Sequence, residues 1–343
     1  VATHRHRLDH LLRLTDDTGV LEHARGTVPR RDHGYCTDDN ARALIVACRV
    51  GDDWRAQQLA EVTLAFLQHA HLGNGRFLNR LGYDRRWDTA DVSDDASGRA
   101  IWALGEAAAN APWPWIRRDA HALFHDVGGF TSPHRRSVAY AALGAATELP
   151  ACPGCSVATG LLLRARDVLD GPGRGPSWPW PEARLTYANA LIPDGLIRAG
   201  QVLGDDDAVR HGLHLLAWLV AHQTVDDRLT FVPSSGCGPD DVLPGYDQQP
   251  IEPATLAEAA AFAAHVTGDP RWHSVVLAAA AWFAGDNDLG LTMVDRETGG
   301  ALDGLTATGV NRNQGAESTI SALLTANLAR RSHGAGALTV RSR

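Results

Sequence analysis

Apolar residues recur along the chain at three- and four-residue spacing, in segments rich in Ala, Leu, Arg and Glu. This is the period of an α-helix with a buried face, while strand-like alternation is confined to short loop pieces. The pattern predicts an all-α fold. Helices are expected near residues 4–18, 38–50, 53–70, 94–110, 114–126, 134–148, 156–170, 187–203, 206–222, 253–267, 270–285 and 315–331.

The connections between these segments alternate in length. After every second helix the chain reverses within a few residues: Gly51-Asp52, Ala111-Pro112, Leu149 to Cys155, Gly204-Asp205 and Gly268-Asp269-Pro270. Short turns rich in Gly, Asp and Pro join antiparallel neighbours. The intervening loops are much longer, and long loops in compact domains usually carry function. Long and short loops therefore lie at opposite ends of the helices. Six hairpins of this kind suit a closed (α/α)6 toroid spanning residues 1–343 as one domain, and helices reached from the long loops are expected on the inside. An open α-solenoid would show a fixed period and a repeated signature, and neither occurs.

The predicted starts of the inner helices gather carboxylates, amides and aromatics. In chain order they read Tyr35-Cys36-Thr37-Asp38-Asp39-Asn40, Ser93-Asp94-Asp95, Pro133-His134-Arg135-Arg136, Leu185-Thr186-Tyr187-Ala188-Asn189, Asp247-Gln248-Gln249-Pro250-Ile251-Glu252 and Asn313-Gln314-Gly315-Ala316-Glu317-Ser318. Ser, Thr, Asp and Asn also cap helices, and acids favour the positive end of the helix dipole, so capping competes with function at Ser93-Asp94-Asp95. Capping does not account for the paired amides Gln248-Gln249 and Asn313-Gln314, nor for Glu252 and Glu317. Amides both donate and accept, as sugar hydroxyls do. Tyr35, Tyr83, Tyr187, Tyr246, Trp87, Trp178 and Trp180 fall in the long loops or at helix starts, where aromatic faces can stack on pyranose rings. Trp54, Trp102, Trp218, Trp272 and Trp282 fall in helical stretches and are expected in the core.

Composition narrows the chemistry. The net charge is −8, and no Lys- or Arg-rich run forms a stripe for nucleic acid. The sequence contains no lysine, which excludes Schiff-base and lysine general-base mechanisms. No stretch is long and apolar enough to span a membrane, and no signal segment opens the chain, although its start at Val1 leaves a trimmed leader open. Five cysteines without a regular framework favour a reducing compartment, so a cytoplasmic location is expected. Cys152-Pro153-Gly154-Cys155 invites a redox or zinc reading but lacks a second CxxC, and it is read as a structural turn. The 16 histidines are scattered without HExxH-type spacing, and no glycine-rich phosphate loop occurs, so neither metal nor cofactor is expected.

Carboxylates at opposite sides of one pocket supply what glycosidic cleavage requires: a protonated carboxyl to assist the leaving oxygen, and an ionised one to activate water or attack carbon. The candidate catalytic residues are Asp38, Asp39, Glu252 and Glu317. Asp38 and Asp39, near a helix amino end, are expected to be ionised, and Glu317 is expected to be the acid, with Glu252 and Asp247 next. The candidate binding residues are His33, Tyr35, Asn40, Arg42, Asp94, Asp95, Trp178, Trp180, Glu182, Tyr187, Asn189, Asp247, Gln248, Gln249, Asn313 and Gln314.

The blocks His33 to Arg42, Asp247 to Glu252 and Asn313 to Ser318 resemble those of a bacterial family within the six-hairpin glycosidase-like group, over nearly the whole chain. The resemblance implies oligosaccharide metabolism, alongside glycosyltransferases or mannoside phosphorylases. Ala188 departs from it: an acidic residue is expected between Tyr187 and Asn189. An oligosaccharide-acting glycoside hydrolase leads the readings. The alternatives are a sugar epimerase, for which only His134 is suitably placed, and a non-catalytic sugar-binding or glycosyltransferase-associated module. A polysaccharide lyase fits poorly with an acidic rim.

Overall fold

The computed structural model describes residues 8–51 and 53–340, with side chains to residue 333. Among the described residues the α-helices are α1 (Asp9–Arg13), α2 (Thr37–Val50), α3 (Trp54–Ala70), α4 (Asp94–Asn110), α5 (Pro114–His125), α6 (Arg135–Ala151), α7 (Ser156–Leu169), α8 (Leu191–Leu203), α9 (Asp206–His222), α10 (Ile251–Thr267), α11 (Arg271–Ala284) and α12 (Ala316–Val340). The even-numbered helices pack in the order α2, α4, α6, α8, α10, α12 and back to α2. They close a ring, with α3, α5, α7, α9 and α11 packed outside it. This is the (α/α)6 toroid, and the helices reached from the long loops are the inner ones.

Two kinds of helix surface produce this arrangement. The outer helix α3 buries Ala56, Leu59, Ala60, Thr63, Leu64 and Leu67 at three- and four-residue spacing and leaves its other face to water. The inner helices are buried on nearly every side and use small residues to fit between two layers, as with Ala254, Ala257, Ala259, Ala260, Ala263 and Ala264 of α10. The closest approach joins α4 to α6. A Cβ on Gly105 would lie 2.2 Å from the Gly144 carbonyl oxygen, and one on Gly144 would lie 2.4 Å from that of Ile101. Only glycine permits backbones to meet so closely.

Three expectations need correction. The first helix was placed at 4–18, of which 4–7 lie outside the described residues. It ends by Arg13 because the Asp16 side chain accepts from the Thr18 and Gly19 amides, turning the chain. The eighth helix starts at Leu191 rather than 187, because Ala188 sits at φ +46° and breaks the helical path. Trp54, expected in the core, is 70% exposed as the first residue of α3. The expected turn residue Asp52 lies outside the described residues.

The long loops at the amino ends of the inner helices are tied to one another. Tyr35-Cys36 pairs with Arg80-Leu81, Leu185 with Cys237, Gln248 with Leu305, and the Gln314 and Ala316 amides donate to the Gly26 and Glu22 carbonyls. The rim is thus a continuous collar. Further along the axis, a layer including Trp102, Tyr140, Leu191, Ile251 and Leu324 leaves a void of only about 20 Å³. Beyond it Arg49 bonds Glu106 (3.0 Å) and Glu258 (2.7 Å), and Arg198 bonds Glu258 (3.1 Å) and Asp194 (2.8 Å). Burial works against ionisation of Glu258, but Arg49 and Arg198 outweigh it and hold its carboxyl below the usual range, whereas burial pushes Asp194 up to about 6. Charges buried this deeply persist only when paired, and here they join α2, α4, α8 and α10. Among the described residues no helix is long and apolar enough to cross a membrane.

Candidate active site

The first turns of α2 and α4 share a pattern: two aspartates followed by an arginine, as Asp38-Asp39 with Arg42 and Asp94-Asp95 with Arg99. Spacings of three and four residues put acid and base on one helix face, and here that face looks onto the axis. Arg42 reaches Asp39 (2.7 Å) and, across to α12, Glu317 (3.0 Å). Arg99 pairs with Asp38, donates to the Tyr140 hydroxyl (3.0 Å) and lies 3.6 Å from Asp95. Asp95 accepts from the Ser137 hydroxyl (2.7 Å) and the Tyr187 hydroxyl (2.5 Å). Arg136, on α6, lies under the Tyr187 ring at 5.0 Å and bonds the Tyr187 carbonyl, Glu182 (2.9 Å) and Asn189 (3.1 Å). Asn189 donates to Glu252 (3.2 Å) on α10, whose carboxylate also accepts from the Ala188 amide. One polar network therefore joins the mouths of all six inner helices.

Alongside it, between the starts of α4 and α6, opens a cavity of about 580 Å³ whose lining includes Asp94, Asp95, His134, Arg136, Glu182 and Tyr187. It is polar, as a sugar site would be. Asp94 accepts from Ser132 (2.7 Å), and exposed Tyr187 presents its ring. Glu317, with its side chain 39% exposed, stands at the α12 end of the network and is not among the lining residues of this cavity.

The electrostatics reverse the expected division of labour. Burial disfavours ionisation of Glu317, but the Arg42 and Arg99 guanidiniums outweigh it and hold its carboxyl below the usual glutamate range. Asp39 is only 2% exposed, and burial lifts it to about 7 in spite of Arg42. Burial likewise raises Asp38 against the pull of Arg99 and Arg42, and leaves its Oδ1 without a partner. The helix dipole acts on Asp38 and Asp39, yet loss of water dominates. Asp95 is held low, since Arg99 and the Tyr187 and Ser137 hydroxyls together overcome its burial. Glu252 rises to about 7 through burial, which outweighs the bonds from Ala188 and Asn189. Both Glu252 oxygens are engaged, so it acts on the Tyr187–Asn189 turn and not on a ligand. Asp39 is similarly occupied by Arg42 and by the Cys36 thiol, which donates at 3.1 Å.

Several candidates turn out to hold the collar together. Trp178 and Trp180 are 3% and 0% exposed, packed on Trp218, and so offer no face to a sugar. Tyr35 is buried and donates to Asp16 (2.7 Å), and Asn40 ties the Val20 amide (2.9 Å) to the Cys36 carbonyl (2.8 Å). Gln248 is buried among Thr230, Gly245, Asp288 and Trp282, and Gln314 between Thr298 (2.8 Å) and Asp295 (3.0 Å). Asn313 accepts from the Gly26 amide (3.1 Å). Their amides bind the backbone and side chains of neighbouring loops, a use of two-way hydrogen bonding that sequence does not separate from sugar binding. Asp247 is exposed and Gln249 half-buried, its carbonyl accepting from the Glu252 amide (3.0 Å). His33 stacks edge-on against His23 at 4.7 Å in the first long loop. Sequence reasoning omitted Arg99, Arg136 and Tyr140. An Asp-Asp pair followed by an arginine on the same helix, at three and four residues on α2 and at four from Asp95 on α4, was a signal for Arg99, while Tyr140 sits among apolar helix residues with no such mark.

No protein-family profile matches the chain, and no curated protein matches it by sequence. Among solved structures it resembles a sugar epimerase from a ruminal bacterium (TM-score 0.69, 12% identity, covering 94% of this chain and 95% of that one). It also resembles the cellobiose 2-epimerase of Bacillus thermoamylovorans (TM-score 0.69, 12% identity, 95% and 96%). A glycosidase variant in complex with glucose matches as well (TM-score 0.60, 16% identity, 94% and 95%). These likenesses establish the class of fold, an (α/α)6 toroid. The particular reaction is not given by the fold.

Proposed function

We propose that this chain is a carbohydrate-active enzyme that hydrolyses a glycosidic bond at the acidic collar. Glu317 serves as the base or nucleophile, and Asp38, whose proton affinity burial raises against the pull of Arg99, as the acid. The observation that carries this reading is the opposite displacement of these carboxyls. Glu317 is held low by Arg42 and Arg99, and Asp38 is raised by burial on the adjacent inner helix. Two carboxyls with separated proton affinities are what glycoside hydrolysis uses. Asp38 gives its proton to the leaving-group oxygen as the bond to the anomeric carbon breaks. Glu317 takes a proton from the water that adds to that carbon, or adds to it directly before water releases the sugar. Arg42 and Arg99 act as positioning residues that set the charge of both. The sugar epimerases and glycosidase of similar fold support a saccharide substrate, and the resemblance to the mannoside-associated family suggests beginning with manno-oligosaccharides.

The test is a panel of manno- and gluco-oligosaccharides of varied linkage, with wild type and Glu317→Gln compared for new reducing ends and for binding by calorimetry. Wild type is expected to cleave at least one, and the variant to bind it while turning over about 10²–10⁴-fold more slowly. Unimpaired turnover by the variant refutes the assignment. Binding by both proteins without turnover points instead to a sugar-binding module.

One observation favours epimerisation as a second reading. His23 and His33 meet in the first long loop beside Glu22. Histidines can exchange a proton at the carbon next to a sugar carbonyl. Incorporation of solvent deuterium at that carbon, with no new reducing ends, would select this reading.

A further inference from the structure

Where the end of α5 meets the short turn between α6 and α7, the metal-ligating side chains of His121, His125, Cys152 and Cys155 come together. His121 and His125 stand one turn apart near the end of α5, so both rings leave the same helix face, with centroids 4.5 Å apart. Facing them is the turn between α6 and α7, Cys152-Pro153-Gly154-Cys155. There the Cys155 amide bonds the Cys152 carbonyl (3.1 Å), and Gly154 takes φ +87°, a left-handed conformation suited to glycine. Ligand atoms of His121, His125 and Cys152 lie within 4.8 Å of one another, and Cys155 Sγ is 4.0 Å from His125 Nε2.

We propose that His121, His125, Cys152 and Cys155 form a structural zinc site that clamps outer helix α5 to the α6–α7 turn. Two thiolates and two imidazoles are a preferred tetrahedral donor set for zinc. Zinc bond lengths place such donors about 3.3–3.8 Å apart, so ligation draws in the His121, His125 and Cys152 atoms from within 4.8 Å of one another, and rotation of the Cys155 side chain completes the set. Two further features suit a metal. The Glu148 carboxylate, 1% exposed, holds His121 Nδ1 at 2.5 Å, which leaves the Nε2 lone pair for the ion, as carboxylates behind zinc-bound histidines do. Its second oxygen is buried without a partner, an arrangement that a cation behind the imidazole would stabilise. Cys155 caps α7, its sulfur accepting from the Ala158 amide (3.4 Å). Each thiol releases a proton to solvent as it ligates, with no change of oxidation state.

The CxxC pair alone is a weak signal, because its partners come from a helix about thirty residues earlier in the chain (roughly the length of one toroid hairpin). Only the packing of α5 against this turn completes the set.

The test uses the full chain, stripped with chelator under reducing conditions and titrated with zinc, with bound metal counted by mass spectrometry. Wild type is expected to take up one zinc per chain and to melt at a higher temperature with it than without. Cys152→Ser/Cys155→Ser and the exposed His125→Ala are each expected to lose stoichiometric uptake and the zinc-dependent shift, and Glu148→Gln to bind about 10–100-fold more weakly. Cobalt(II) should give a thiolate charge-transfer band in wild type that is absent from the double serine variant. No uptake by wild type at equimolar zinc, or equal uptake by the double variant, overturns the proposal. So does a pair that oxidises to a disulfide equally fast with and without zinc.

Discussion

Replacing Arg42 by methionine tests whether burial or pairing governs the collar. In the native chain Asp39 titrates at about 7, so its pair with Arg42 is fully ionic only above neutrality. Without the guanidinium the buried carboxyl loses its stabilising charge, and its proton affinity rises by a further 1–3 units or so. The sign follows from linkage. The unfolded chain binds no proton at Asp39 above about pH 5. Between pH 7 and the raised value, the folded variant holds a proton that the folded wild type has released. The variant therefore loses stability with rising pH by about 1.36 kcal/mol per unit relative to wild type. Over pH 7–9 the gap should widen by about 1.4–2.7 kcal/mol, on top of the cost of breaking a buried pair, about 3–5 kcal/mol when both partners are charged. Glu317 also loses an Arg42 contact, while Arg99 remains to hold its carboxyl down against burial. Urea denaturation of both proteins from pH 5.5 to 9 measures the gap. A constant gap across that range would mean that Asp39 is ionised throughout, and would refute the reasoning.

Other expectations follow from the packing and the network. Gly144→Ala forces a Cβ against the Ile101 carbonyl and should destabilise by about 1–3 kcal/mol. Gly160→Ala on α7, whose nearest contact is the flexible tip of Arg164 at 3.5 Å, should stabilise by up to about 1 kcal/mol; melting temperatures that shift in the same direction contradict the close approach. Tyr187→Phe removes the hydroxyl from Asp95 and should cost about 1–2 kcal/mol at neutral pH. Because Asp95 is held low, that difference should shrink as pH falls below about 4, and denaturation curves at pH 3 and 7 test it. Trp180→Ala should cost about 3–5 kcal/mol by calorimetry without changing the saccharide affinity of the folded protein, as expected of a core residue and not a sugar platform.

The sequence by itself determined the architecture. Helical period, alternating loop lengths and turn residues are local properties, and together they left a closed ring of hairpins with inner helices starting at the long loops. It also determined which residues crowd the rim, because a helix start is local too. What it left open was which way each of those residues points and what it meets. Trp178 and Asp95 both belong to rim segments, yet one packs on Trp218 inside the outer layer while the other faces Tyr187 and Arg99. One residue of slip turns a helical side chain by about 100°, so facing is decided only when neighbouring hairpins dock. Proton affinities follow the same rule. Local position near a helix amino end made Asp39 look ionised, and a place one turn into its helix made Glu317 look like the acid. Their actual environments come from residues far along the chain, since Arg42 reaches Glu317 only because α12 closes the ring against α2. The His121, His125, Cys152 and Cys155 cluster makes the same point: each half is unremarkable in sequence, and only the packing of one hairpin against the next turn brings the four donors together.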